Sequence, residues 1–103
     1  MNEAKVVAAG RRFADKHGIP HIRLAFQGGV TVGWPDDLYL IPGGRPLFIE
    51  YKATGKKPTA RQAHRIKQLE KLGYDVEVCD SPDAAREAIS RCLAAARLSR
   101  EGC

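Results

Sequence analysis

An α/β fold, with a mixed sheet covered by helices on both faces, is predicted from three features of the chain. Two segments with helical periodicity and recognisable end signals flank a stretch of short apolar runs cut by Gly-Pro turns. A strand–helix–strand sequence follows from Pro46 to Cys79, which implies a crossover and a parallel strand pair. A last helical segment begins at Ser81-Pro82.

Residues 2–17 place Val6, Val7, Gly10, Phe13 and Ala14 on one helical stripe. Gly10 costs about 1 kcal/mol against alanine inside a helix, which suggests a close approach of another element. Gly18 ends the helix as a C′ residue. His21 to Phe26 reads as a strand, Gln27-Gly28-Gly29 as a turn, and Val30 to Val32 as a possible extension before Gly33-Trp34-Pro35. Asp36 to Ile41 and Pro46 to Lys52 read as the two arms of a hairpin around Pro42-Gly43-Gly44. Thr59 opens a helix to Leu72 through a Thr59-x-x-Gln62 capping box, with Ala63, Ile66, Leu69 and Leu72 on its buried side. Tyr74 to Cys79 is the fourth strand. The last helix runs to about Leu98 with Ala85, Ala88, Ile89, Cys92 and Ala96 inward. The predicted order is α-β-β-β-α-β-α.

The chain has 103 residues, which suits one domain over 1–103 with one core. No apolar run approaches the roughly 20 residues of a bilayer span. No apolar segment of signal-peptide type follows Met1, so the expected location is the cytoplasm of a bacterial or phage-infected cell. Cys79, Cys92 and Cys103 form no Cys-x-x-Cys pair, which argues against a zinc ribbon. The first two read as small buried hydrophobes and the last as a free thiol. A net charge of +5 and a pI near 9.4 favour polyanionic partners without proving them.

The most informative feature is Glu50-Tyr51-Lys52, which closes the apolar run from Leu47. Side chains alternate along a strand, so Glu50 and Lys52 point the same way. An acid and a base there are costly to bury unless they are paired or bind a metal. Pro35-Asp36-Asp37 precedes Glu50 by fourteen residues, counted from Asp36. The hairpin brings the start of one arm beside the end of the other, so these aspartates reach Glu50 by topology alone. An odd-length loop puts Asp36 on the Glu50 face and an even-length loop puts Asp37 there. Two carboxylates on one side of a sheet suit a hard cation such as Mg²⁺ or Mn²⁺. The competing reading is a salt bridge at a strand end, with Asp37 as an ordinary turn residue.

Gly33-x-Pro35-Asp36, Glu50-Tyr51-Lys52 and Gln62 on the next helix together resemble the PD-(D/E)XK nuclease superfamily, and within it the virus-type replication-repair nuclease domain, VRR-NUC. The resemblance covers residues 3–90. It implies a restriction-endonuclease-like αβββαβα core with a mixed central sheet flanked by helices. It further implies Asp36, Glu50, Lys52 and Gln62 as catalytic residues, with Mg²⁺ or Mn²⁺ held by Asp36, Glu50 and the Tyr51 carbonyl. Asp36 is thereby preferred to Asp37. The Tyr51 position is usually small and aliphatic in the family; here the ring should point to the opposite face. Glu3 is either a further acidic group of the metal site, as the resemblance implies, or a dipole-favoured helix start. For Gln62 the cap and the site compete for one side chain, and the resemblance favours the site.

Lys56, Lys57, Arg61 and Arg65, with His64, cluster after Lys52 and can hold DNA phosphates or form a solvated basic face. Arg11, Arg12, Arg97 and Arg100 read as surface, and His17, His21 and His64 as structural or surface. Trp34 reads as a packing residue, with base stacking as the alternative. The expected activity is a metal-dependent, structure-selective DNA endonuclease acting on branched, flap or junction DNA, in a homodimer. A non-catalytic nucleic-acid-binding module of the same fold and a structural or assembly protein are the alternatives.

Overall fold

The computed structural model describes residues 1–24 and 33–101. Seven elements follow one another in the predicted order: α1 (Glu3–Lys16), β1 (His21–Arg23), β2 (Asp37–Ile41), β3 (Arg45–Tyr51), α2 (Ala60–Lys71), β4 (Asp75–Cys79) and α3 (Pro82–Glu101). The expected end of the first strand at Phe26, the Gln27-Gly28-Gly29 turn and the Val30–Val32 extension fall within 25–32, outside the described residues.

The strands lie in the order β1-β2-β3-β4. β1 and β2 are antiparallel, as are β2 and β3, while β3 and β4 are parallel. The crossover through α2 is what allows that parallel pair. Ile41 pairs with Arg45, so the hairpin loop is Pro42-Gly43-Gly44. Both glycines have positive φ, 88° and 71°, which side-chain-bearing residues rarely adopt. The loop is therefore odd in length. Asp37 pairs with Ile49, and the register carried one step outward sets Asp36 beside Glu50.

The register also sorts the two faces of the sheet. Tyr39, Ile41, Leu47, Ile49, Tyr51 and Cys79 share one face and form the core with Val6 and Ala14 of α1 and Ala85, Ala88, Ile89 and Ala96 of α3. Burying a leucine- or isoleucine-sized side chain contributes about 1.5–3 kcal/mol, so this face carries most of the apolar stabilisation. The other face presents Ile22, Leu38, Phe48, Glu50, Val76 and Val78, and the shorter α2 lies against it through Leu69. Coverage there is partial: Ile22, Leu40, Tyr74 and Val78 stay exposed. Leu72 corrects the expected buried stripe of α2, because it is 74% exposed. It is the C-cap, where the chain leaves the helix and its stripe no longer faces the sheet. No helix of the described residues is long and apolar enough to cross a membrane.

Candidate metal and phosphate site

β2 and β3 bring Asp36 and Glu50 together at the edge of the partly covered face. Asp36 Oδ2 accepts a hydrogen bond from the Tyr51 backbone N–H at 2.7 Å, which ties the residue before β2 to the end of β3. Glu50 is only 2% exposed. Its Oε2 takes two partners, Lys52 Nζ at 3.2 Å and Gln62 Nε2 at 3.0 Å. Its Oε1 is buried with no hydrogen-bond partner, the sole such side-chain atom among the described residues. A lone buried carboxylate oxygen is costly unless something positive reaches it.

The electrostatics point the same way. Burial raises the pKa of Glu50 from 4.5 to about 7, the Asp36 charge adds to the rise, and Lys52 opposes it. Burial also raises that of Asp36, with Glu3 and Asp37 adding to the rise and the Tyr51 N–H opposing it. Two carboxylates are thus held in a place that disfavours their charge, with Lys52 opposing the rise at both. A divalent cation reverses that penalty. Among the described residues no three His, Cys, Asp or Glu side chains form a metal-binding group by themselves. A two-carboxylate set fits Mg²⁺ or Mn²⁺, which keep several waters.

Gln62 does not have to choose between cap and site. Its Oε1 accepts the Thr59 N–H at 2.9 Å while Thr59 Oγ1 accepts the Gln62 N–H at 3.2 Å, completing the capping box. That contact turns the amide nitrogen toward Glu50. The helix start therefore aims the site residue. Glu3 is exposed, but it lines a cavity of about 350 Å³ with Val7, Arg11, Arg23 and Asp36, so it faces Asp36 across a cleft. Its charge adds to the upward shift of both carboxyls.

The Tyr51 ring points to the opposite face, as expected, and enters a buried network absent from the sequence reading. Tyr39 and Tyr51 hydroxyls lie 2.6 Å apart, and the Tyr39 hydroxyl donates to Asp37 Oδ2 at 2.8 Å. Arg11 donates to Asp37 twice, Nε to Oδ2 at 2.8 Å and Nη2 to Oδ1 at 2.7 Å. Asp37 is fully buried, so it is not a turn residue, and Arg11 is not a free surface arginine. Alternation signals this: Asp37 shares its face with Tyr39 and Ile41, where an acid requires a buried cation. Gly10 lets α1 approach, since a β-carbon there would collide with the Tyr51 hydroxyl.

The basic residues separate into two groups. Lys56 and Lys57 line a cavity of about 480 Å³ with Val78, the cross-strand partner of Glu50. Arg61 and Arg65 lie on α2, and the Arg65 guanidinium sits 4.6 Å over the Trp34 ring. Trp34 also packs against Phe48, with ring centres 6.5 Å apart. His21 bonds Asp15 at 2.9 Å and the His17 ring contacts Phe13, both structural roles. Cys79 is buried, which pushes its thiol up to about 12, and Cys92 is half-buried. Cys103 and the Arg100 side chain lie outside the described residues.

Comparison with known proteins agrees with this architecture. The family model for the VRR-NUC domain matches residues 2–83. A solved structure of a VRR_NUC domain superposes with a TM-score of 0.74 at 26% identity, covering 85% of this chain and 94% of that one. Protein p44 of Acyrthosiphon pisum secondary endosymbiont phage 1, whose name proposes a nuclease, is 45% identical over 51 residues. That match takes in 50% of this chain and 55% of the phage protein, so the chain spans about half the length of this relative. By sequence match and by fold, the chain belongs to the VRR-NUC family of nuclease domains.

Proposed function

We propose that the protein is a Mg²⁺- or Mn²⁺-dependent endonuclease that hydrolyses a phosphodiester in branched or discontinuous DNA. The observation that carries this reading is the buried, unpartnered Oε1 of Glu50 beside Asp36. Asp36, Glu50 and the Tyr51 carbonyl would hold the ion, with Glu3 as a further acidic group across the cleft. When bound, the ion supplies a Lewis acid that polarises a phosphate oxygen and lowers the pKa of water. Lys52, 13% exposed and anchored on Glu50, offsets negative charge that builds on the phosphate. Gln62 donates to Glu50 Oε2, which would leave Oε1 available to the ion. Lys56, Lys57, Arg61 and Arg65 hold backbone phosphates and position the duplex without reading sequence.

A domain of this size offers a small footprint on DNA. A C2 pair would present two sites to a two-fold junction. The reading is tested by a cleavage panel of flap, gap, nicked, four-way junction and single-stranded substrates with Mg²⁺ and Mn²⁺. Cleavage of branched substrates by the wild type and its loss in Lys52→Ala is the expected outcome. Binding of DNA without metal-dependent cleavage of any substrate would leave a non-catalytic module in its place. Light scattering tests the pair: a monomer at tens of micromolar rules out a homodimer tight enough to matter.

A further inference from the structure

Trp34 is the chain's single tryptophan. Gly33 before it takes φ 86°, and a β-carbon there would stand 2.8 Å from Arg61 Cγ. The chain thus passes tightly under α2 and delivers the indole to the flank of that helix. Beside the indole lies a cavity of about 420 Å³. Trp34, Leu69 and Leu72 form its apolar side, and Arg65, Gln68 and Lys71 its polar side. That volume falls within the roughly 300–1,000 Å³ of small-ligand sites. Leu72 contributes an apolar wall that the fold leaves 74% exposed.

Charge and place identify the occupant. α2 carries Arg61, Arg65, Lys67 and Lys71 against Glu70 alone, so an anion is favoured. The Arg65 guanidinium stacked over the indole adds a second planar surface of the kind that bases stack on. Trp34 contacts Phe48, which lies two residues before Glu50 on the same face of β3, a spacing of about 7 Å. Trp34 itself lies two residues before Asp36. A ligand with a flat apolar part and an anionic part, joined to a phosphate at the neighbouring carboxylates, is an unpaired nucleotide.

We infer that this cleft receives one unpaired nucleobase of the substrate strand, next to the phosphate held at Asp36 and Glu50. The base packs against Leu72 and the stacked pair of indole and Arg65 guanidinium, and its phosphate meets Lys71. A paired and stacked base cannot offer its face, so the cleft selects DNA with unpaired nucleotides beside the cleavage position. The position of the scissile phosphate rests on the nuclease reading; the binding of the base does not.

The single indole provides the readout. Wild-type protein in EDTA is titrated with an oligothymidylate and, separately, with a blunt duplex, following tryptophan emission. Affinities for labelled oligonucleotide are measured by anisotropy for wild type, Trp34→Ala and Leu72→Glu. Leu72 is exposed, so its variant folds whatever becomes of Trp34→Ala. The expected result is quenching by the single strand, a loss of about tenfold or more in its affinity in either variant, and a clearly smaller loss for the duplex. Unaltered emission at saturation, or equal single-strand affinity in Leu72→Glu, overturns the inference. Emission that changes with protein concentration alone also overturns it, and assigns the cleft to a second copy of the chain. Quenching without metal-dependent cleavage would refute the nuclease reading and leave the cleft standing; cleavage without quenching would do the reverse.

Discussion

Glu50→Gln separates the cost of the site from its use. Glu50 ordinarily titrates at 4.5 and here near 7, chiefly because it is buried. The folded chain therefore holds this proton more tightly than the unfolded one. The associated stability is fully present below about pH 4.5 and is lost as pH rises through about 7. At about 1.36 kcal/mol per pKa unit, ionised Glu50 costs the metal-free fold about 3 kcal/mol at pH 8 and about 1 kcal/mol at pH 5. Glutamine keeps the shape without the charge. In EDTA at pH 8 the variant should melt about 10 °C or more above wild type, and the gap should shrink to roughly a third of that at pH 5. Mn²⁺ should raise the wild-type midpoint and leave the variant unmoved. Thermal melts at both pH values, with and without metal, make the comparison. A variant less stable than wild type at pH 8 in EDTA would refute the reasoning, because Glu50 would then be stabilised by its charge.

Other substitutions probe the supports of the site. Arg11→Ala strands Asp37, a fully buried charge, and should cost about 3–5 kcal/mol in urea unfolding; the Arg11→Ala/Asp37→Ala pair should recover part of that loss. Gly10→Ala drives a methyl into the Tyr51 hydroxyl and should destabilise by about 1–3 kcal/mol, with cleavage falling further than stability alone explains because Tyr51 shifts. Gln62→Ala removes both the cap acceptor and the tether on Glu50; a loss of about 1 kcal/mol in the melt should accompany a weaker Mn²⁺ dependence of cleavage.

The backbone plan was legible because its signals are local. Caps, Gly-Pro turns and apolar runs mark the element order, and the hairpin places an aspartate beside Glu50 before any fold is assumed. Which aspartate depends on loop parity, and that rests on the pairing of Ile41 with Arg45. Periodicity extended the buried stripe of α2 to Leu72 because it carries no information on where the helix runs off the sheet. Gln62 looked like a choice because sequence treats a side chain as one contact, whereas an amide has two ends. Arg11 was the larger miss. An arginine on an amphipathic helix ordinarily reads as surface, and its bond to Asp37 spans 26 residues of sequence. Only the packing of α1 on the sheet, permitted at Gly10, joins them.

The proposed function requires Asp36 and Glu50 to hold a cation for hydrolysis. Single-turnover cleavage of a branched duplex with Mn²⁺, by wild type and by purified, folded Asp36→Ala, tests it most directly. The predicted result is a loss of about 100-fold or more in rate with DNA affinity retained. Undiminished cleavage by the variant would contradict it.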